Sequence, residues 1–348
     1  MNSQKKRSLD TIRNSRLLGS DSTKKAYAKK RAAKALTKSA MYRLFGLQSP
    51  INDDYRQAYM CNEYLFQKGK KITSNYCRKK CCTVCNRIKA AQSLGKYGER
   101  ILKLNDLYLV TLTDKNVGKG ELADNVDGMY HSLKRIKKNL YKKKMSINGY
   151  RTFECTFGLN GFNPHFHFIV QGKDVAEELL RLWLNQMPNA NRKGQHIAKV
   201  QNTKKSLLEV FKYIAKPVTK GYYSASAYDE IMQVVKRHRV TDPLGSIRGR
   251  KEIEPDEDVA ELSIDNLEAQ EINFKGHRFE IWRYVQKLYD YVSPDGELLI
   301  GEPLDRKTLN AINVIEKSKA EKVSKDRISE RQSYANARER IKLEGVVF

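Results

Sequence analysis

Residues 107–113, Leu-Tyr-Leu-Val-Thr-Leu-Thr, are β-branched, aromatic or aliphatic throughout and end at Asp114, which predicts a strand. The spacing then lengthens: Met129, Leu133, Ile136 and Leu140 lie four, three and four apart, one stripe of a helix. Residues 150–157 and 164–170 read as two strands, joined by the turn Gly158-Leu159-Asn160-Gly161 into a hairpin-like unit. A helix over 174–186, a short strand over 196–200 and a helix over 204–216 follow, and a helix-like run over 86–104 precedes. Strands alternating with helices predict an α+β fold.

Charge and composition divide the chain further. Residues 1–50 hold 13 Lys or Arg against 2 Asp, and their apolar spacing is too poor for a core, so they read as a basic arm. Residues 51–104 carry a cysteine-rich module, and the strand and helix pattern over 105–230 marks the next domain. Residues 231–348 form a charged C-terminal region, in which 252–271, with nine acids and no base, serve as a linker. Beyond it Phe279, Trp282, Tyr284, Tyr289 and Tyr291 are candidates for a separate aromatic core, and 316–342 reads as one charged helix.

The 348 residues carry a net charge of +26, so a polyanionic partner is expected. Apolar runs are far shorter than the roughly 18 to 20 residues that cross a bilayer, so no membrane role is expected. Lys5, Lys6 and Arg7 are followed by no apolar stretch, which argues against export and for the cytoplasm. In that reducing compartment the clustered cysteines suit a metal better than disulfides. Seven basic residues between Lys134 and Lys144 crowd one helix without an acidic neighbour, a candidate contact for DNA or RNA.

Three constellations carry chemistry. On a strand, His165 and His167 project from one face about 7 Å apart, with Phe166 and Phe168 on the other, so both imidazoles can ligate one divalent ion. A hairpin turning near Asn160 brings Glu154 across to the same side, since 154 and 167 are equidistant from the turn; it is the third candidate ligand. Two imidazoles and a carboxylate suit Mg²⁺ or Mn²⁺ at a phosphate-handling site, although imidazole also suits zinc. On the helix over 204–216, Leu207, Phe211 and Ile214 form an apolar stripe, while Glu209, Tyr213 and Lys216 share the opposite face. A phenol is a poor nucleophile at neutral pH, and a nearby cation favours its phenolate.

Taken in order, the strand 108–113, the segment Asn163-Pro164-His165-Phe166-His167-Phe168 and the segment Lys212-Tyr213-Ile214-Ala215-Lys216 resemble the three motifs of the HUH endonucleases. More closely, the chain looks like the rolling-circle replication initiators of small bacterial plasmids, over about residues 105–220. The resemblance implies a central antiparallel sheet flanked by helices, and site-specific nicking of one strand of single-stranded or supercoiled origin DNA. His165 and His167 would then hold the divalent ion, Tyr213 would be the nucleophile with Lys216 beside it, and Glu209 would help to end the replication cycle. The product would be a 5′-phosphotyrosine and a 3′-OH for a host polymerase, with a host helicase as a further partner. Tyr222 and Tyr223 are rival tyrosines, but neither precedes a lysine by three residues. Relaxases place the tyrosine before the His motif, so the order here favours an initiator. A transposase or mobilisation relaxase of the same superfamily, and a non-catalytic zinc-containing nucleic-acid-binding protein, are the alternatives.

The third constellation is cysteine-based. Cys82-x2-Cys85 has the spacing of a zinc knuckle, and Cys61 and Cys77 can complete a tetrahedral structural Zn²⁺ site, with Cys81 competing for the place of Cys77 or Cys82. Cys155 reads as a core residue facing away from Glu154.

Overall fold

The computed structural model describes residues 21–68, 71–201, 206, 207, 210, 211, 223–248, 271–274 and 277–318. In chain order the elements are α1 (Asp21–Leu44), α2 (Asn52–Met60), β1 (Tyr64–Lys68), β2 (Lys71–Ser74), α3 (Thr83–Leu102), β3 (Leu107–Thr113), α4 (Leu122–Lys142), β4 (Gly149–Gly158), β5 (Gly161–Gln171) and α5 (Lys173–Gln186). There follow β6 (His196–Lys199), α6 (Ala225–Arg237), β7 (Thr241–Leu244), β8 (Glu271–Phe274), β9 (His277–Val285), β10 (Asp290–Val292) and α7 (Arg306–Lys317). No described helix is long and apolar enough to cross a membrane.

The strands form two antiparallel sheets, and the fold is of the α+β class. One runs β6-β3-β5-β4-β7; in the other β9 pairs with β1, β8 and β10, and β2 extends β1. In the first sheet the period-two rule sorts side chains sharply. Val110, Leu112, Phe153, Phe166, Phe168 and Val170 are buried on one face, in one core with Met129, Leu133, Ile136 and Leu140 of α4 and Leu179 and Trp183 of α5. Each large apolar side chain buried there contributes about 1.5–3 kcal/mol. The opposite face is apolar at one end only, where Leu107, Leu109, Tyr150 and Ile169 meet Ile101 of α3 and Leu207, Val210, Phe211 and Ile247. Toward its other end the same face turns polar.

The β4–β5 hairpin closes through Leu159-Asn160, flanked by the pair Gly158 and Gly161. Gly161 has φ +86°, and a Cβ there would lie 2.3 Å from the Val117 carbonyl oxygen, so the turn needs glycine. That carbonyl accepts from Phe162 N–H at 2.9 Å. The two-residue turn pairs Glu154 with His165, where the expected turn paired it with His167. The offset is two residues, so Glu154 keeps its face.

The expected arm is corrected over residues 21–44. They form α1, in which Ala32, Ala33, Ala35, Ala40, Met41 and Leu44 are buried, and so are Arg31, Lys34 and Lys38. The lysines are held by Glu63, Lys34 at 2.9 Å and Lys38 at 2.6 Å, and Arg31 pairs with Asp290 at 2.9 Å. Cationic side chains count here as core because their charges are matched from elsewhere in the chain. Residues 1–20 lie outside the described residues. Two further boundaries shift. β7, at 241–244, pairs with β4, so the sheet assigned to 105–230 extends past residue 230. Trp282, Tyr284 and Tyr291 do form a core distinct from that of the first sheet, but not from the C-terminal region alone: Ala32, Ala35 and Leu65 belong to it. Of the acidic stretch only Glu271 is described, and of the expected helix over 316–342 only its start.

Candidate active site and cysteine centre

Glu154, His165 and His167 come together on the polar end of the sheet face, on the two adjacent strands β4 and β5. Glu154 Oε2 lies 3.5 Å from His165 Nε2 and 3.3 Å from His167 Nε2. The rings lean together, with centroids 4.7 Å apart and planes nearly perpendicular, closer than their strand spacing alone would give. The group is partly open: the side chain of His167 is 23 % exposed and that of Glu154 13 %.

The outer ring nitrogens decide what the group can do. His165 Nδ1 lies 2.9 Å from the Asn163 carbonyl oxygen, which can only accept, so Nδ1 carries a proton and Nε2 is the ring nitrogen that faces Glu154. His167 Nδ1 lies 3.2 Å from Thr111 Oγ1 on β3, the residue opposite it in the ladder. Two imidazole nitrogens and a carboxylate oxygen converging on one place, with the far side of each ring tied down, suit a divalent cation. Sequence reasoning missed Thr111 and Asn163. The alternation of β3 carried the signal for Thr111, since strand parity puts it on the face of the histidines.

The four expected cysteines also meet: the Sγ atoms of Cys61, Cys77, Cys82 and Cys85 all lie within 4.8 Å of one another. Each sulfur accepts a backbone N–H, from Cys77 to Cys61, from Lys79 to Cys77, from Cys85 to Cys82 and from Arg78 to Cys85, at 3.3–3.5 Å. Such amides stabilise thiolates. Hydrogen bonds from the other three thiols hold Cys82 well below the usual thiol range, against the effect of its burial. Four sulfurs brought together in a buried to half-buried knot fit a tetrahedral soft-metal site. Cys81 does not compete: its Sγ turns to the Asp54 carbonyl oxygen, 3.6 Å away. Cys155 is buried in the core on the helix-covered face of the sheet.

Glu209, Tyr213 and Lys216 lie outside the described residues, as do Ile214 and Tyr222. Tyr223 is buried, and its hydroxyl donates to the Ala40 carbonyl oxygen at 3.2 Å. Leu207 and Phe211, of the stretch that leads to Tyr213, pack on the face that bears the histidines; the Phe211 ring lies 4.4 Å from that of Tyr150. On the other side of the sheet, Lys134, Arg135, Lys138 and Lys142 are exposed along α4 and Lys143 and Lys144 just past its end, while Lys137 pairs with Asp242 at 2.7 Å and Lys143 with Glu178 at 2.8 Å.

The fold and these two groups define an α+β protein with one open and one closed candidate metal centre. Residues 68–291, well over half of the chain, match the Rep_1 family, described as "Replication protein", and the chain belongs to that family. The matched stretch includes Glu154, His165, His167, Cys77, Cys82 and Cys85, and leaves Cys61, all of α1 and all of β1 but Lys68 outside. No curated protein and no solved structure matches the chain.

Proposed function

We propose that this replication protein is a rolling-circle initiator of the HUH type, which nicks one strand of its origin DNA with Tyr213. The observation that carries the reading is the convergence of His165, His167 and Glu154 on a sheet face that also receives Leu207 and Phe211, six and two residues before Tyr213. A divalent ion, Mg²⁺ or Mn²⁺, held by those three side chains would supply Lewis-acid polarisation of the scissile phosphate. Asn163 and Thr111 hold the two rings so that their Nε2 lone pairs face the phosphate-handling side. The Tyr213 phenolate oxygen forms a bond to phosphorus as the P–O bond to the 3′ oxygen breaks, leaving a 5′-phosphotyrosine and a 3′-OH that a host polymerase extends. Lys216 orients the phenol and favours its ionised form. Glu209 activates a water for the second cleavage, when Tyr213 is already occupied. The exposed cations of α4 contact the DNA backbone without reading sequence. Cys61, Cys77, Cys82 and Cys85 hold a structural zinc.

The test uses supercoiled DNA carrying a candidate origin, with Mn²⁺. The expected product is a nicked circle whose 3′ end a polymerase extends. Glu209→Ala should nick at close to the normal rate but accumulate over-length product. A Glu209→Ala protein that is folded yet unable to make the first nick would assign the acid to the first step instead.

A further inference from the structure

Gln195 is buried, and its amide is fully engaged at the strand end beside the metal group. Oε1 accepts from Thr113 N–H at 2.8 Å, and Nε2 donates to the carbonyl oxygens of Thr113 and Asn191 at 3.0 and 2.8 Å. Thr113 lies opposite His165 in the β3–β5 ladder, and its hydroxyl donates to Asn163 Oδ1 at 3.0 Å. The Asn163 carbonyl in turn accepts from His165 Nδ1. Hydrogen bonds at Thr113 and at Asn163, joined through the covalent frames of those two residues, therefore link the 191–195 turn to a metal ligand.

The turn approaches the sheet from the side of the metal group. A Cβ on Gly194 would lie 3.2 Å from Thr113 Cγ2, a side chain on the histidine-bearing face, so the turn passes close against that face. Asn191 Oδ1 accepts from Lys193 N–H at 2.9 Å and fixes the turn internally. One residue past Gln195, His196 pairs with Thr111, which pairs on its other side with His167. His196 thus shares the face of His167 two strands away, about 10 Å at the usual strand spacing. Arg192, Lys193 and His196 are exposed, and none has an acidic partner among the described residues, whereas Lys199 nearby is paired with Asp106 at 3.0 Å.

Exposed cations on a loop are ordinarily free to wander, and a solvated rim needs no buried glutamine to hold it. Here the carrier of two cations is pinned to the strand that orients the metal group. We propose that Arg192 and Lys193 form a cationic rim, with His196 beside them on the histidine-bearing face, that grips the phosphates of the single strand next to the scissile one, with Gln195 as the positioning residue that fixes the rim against His165. The proposal rests on the reading of this face as the site where a single strand is cut.

The experiment uses the full chain and a short fluorescent single-stranded oligonucleotide, with anisotropy measured over a series of salt concentrations and cleavage measured in Mn²⁺. Removing two phosphate contacts with Arg192→Ala/Lys193→Ala should flatten the slope of log K against log salt by about 1.4. Oligonucleotide KM should rise while kcat at saturation stays within about twofold. An unchanged slope in this variant overturns the rim. Gln195→Ala keeps every charge, so its slope should remain while its KM rises, and a wild-type KM would overturn the positioning role. The slopes do not depend on cleavage: wild-type protein that binds but never cuts overturns the nicking reading alone, and the slope comparison still decides the rim.

Discussion

The two candidate metal centres are built in opposite ways. Glu154, His165 and His167 stand on neighbouring strands, so ladder register alone brings them together, and they remain open to solvent on one side. The cysteines come from the end of α2, a loop and the start of α3, are buried or half-buried, and receive a backbone N–H at every sulfur. A closed four-sulfur knot ties segments together, whereas three ligands on a rigid sheet leave a position for a substrate. The surroundings follow the same division. Lys34 of α1, itself paired with Glu63, donates to the carbonyl oxygens of Tyr59 and Cys61, so the closed centre is braced by a charge-matched lysine, while the open one is braced by Thr111 and Asn163.

The comparison breaks most readily at the open centre. His165→Ala/His167→Ala should lower cleavage by at least about a thousandfold, equivalent to about 4 kcal/mol of transition-state stabilisation. Its melting temperature should stay within a few degrees of the parent, as calorimetry would show, because both side chains face solvent in part. The closed centre should behave the other way. Purified protein should carry about one zinc, and Cys82→Ser or Cys85→Ser should lose it together with several kcal/mol of stability. Fully folded protein without zinc by metal analysis would remove the contrast.

A smaller effect sharpens the bracing argument. Burial alone would raise the Glu63 carboxyl, but Lys34 and Lys38 more than offset it and hold it below the ordinary carboxylate range. Its folded value lies below its unfolded one, so its contribution is complete above about pH 4.5 and is lost as pH falls through the folded value. Glu63→Gln leaves two buried lysines without their acid and should cost about 3–5 kcal/mol at neutral pH by denaturant unfolding. It should also weaken the loss of stability on acidification.

The sheet that bears the open centre was legible because its signals are local. The run at β3, the stripe of α4 and the His-Phe-His alternation each fit within a few turns or strand repeats, and Phe166 and Phe168 are buried opposite the histidines as that alternation demands. Glu154 reached its place by parity even though the turn was set two residues off. α1 was not legible: its core is alanine and matched lysine, and the acids that admit Lys34, Lys38 and Arg31 lie at 63 and 290. The same holds for β7 and β9, whose partners β4 and β1 are remote in sequence. The 191–195 turn escaped notice because Gln195 acts through Thr113, a contact that no spacing encodes.

The central claim is that the open centre serves a tyrosine that becomes joined to DNA. The full chain, incubated with labelled single-stranded candidate-origin DNA and Mn²⁺ and run on a denaturing gel, should give a protein–DNA adduct. Peptide mapping should place that adduct on Tyr213, and Tyr213→Phe should give none. An undiminished adduct from Tyr213→Phe, or cleavage by the parent protein with no adduct at all, would contradict the account.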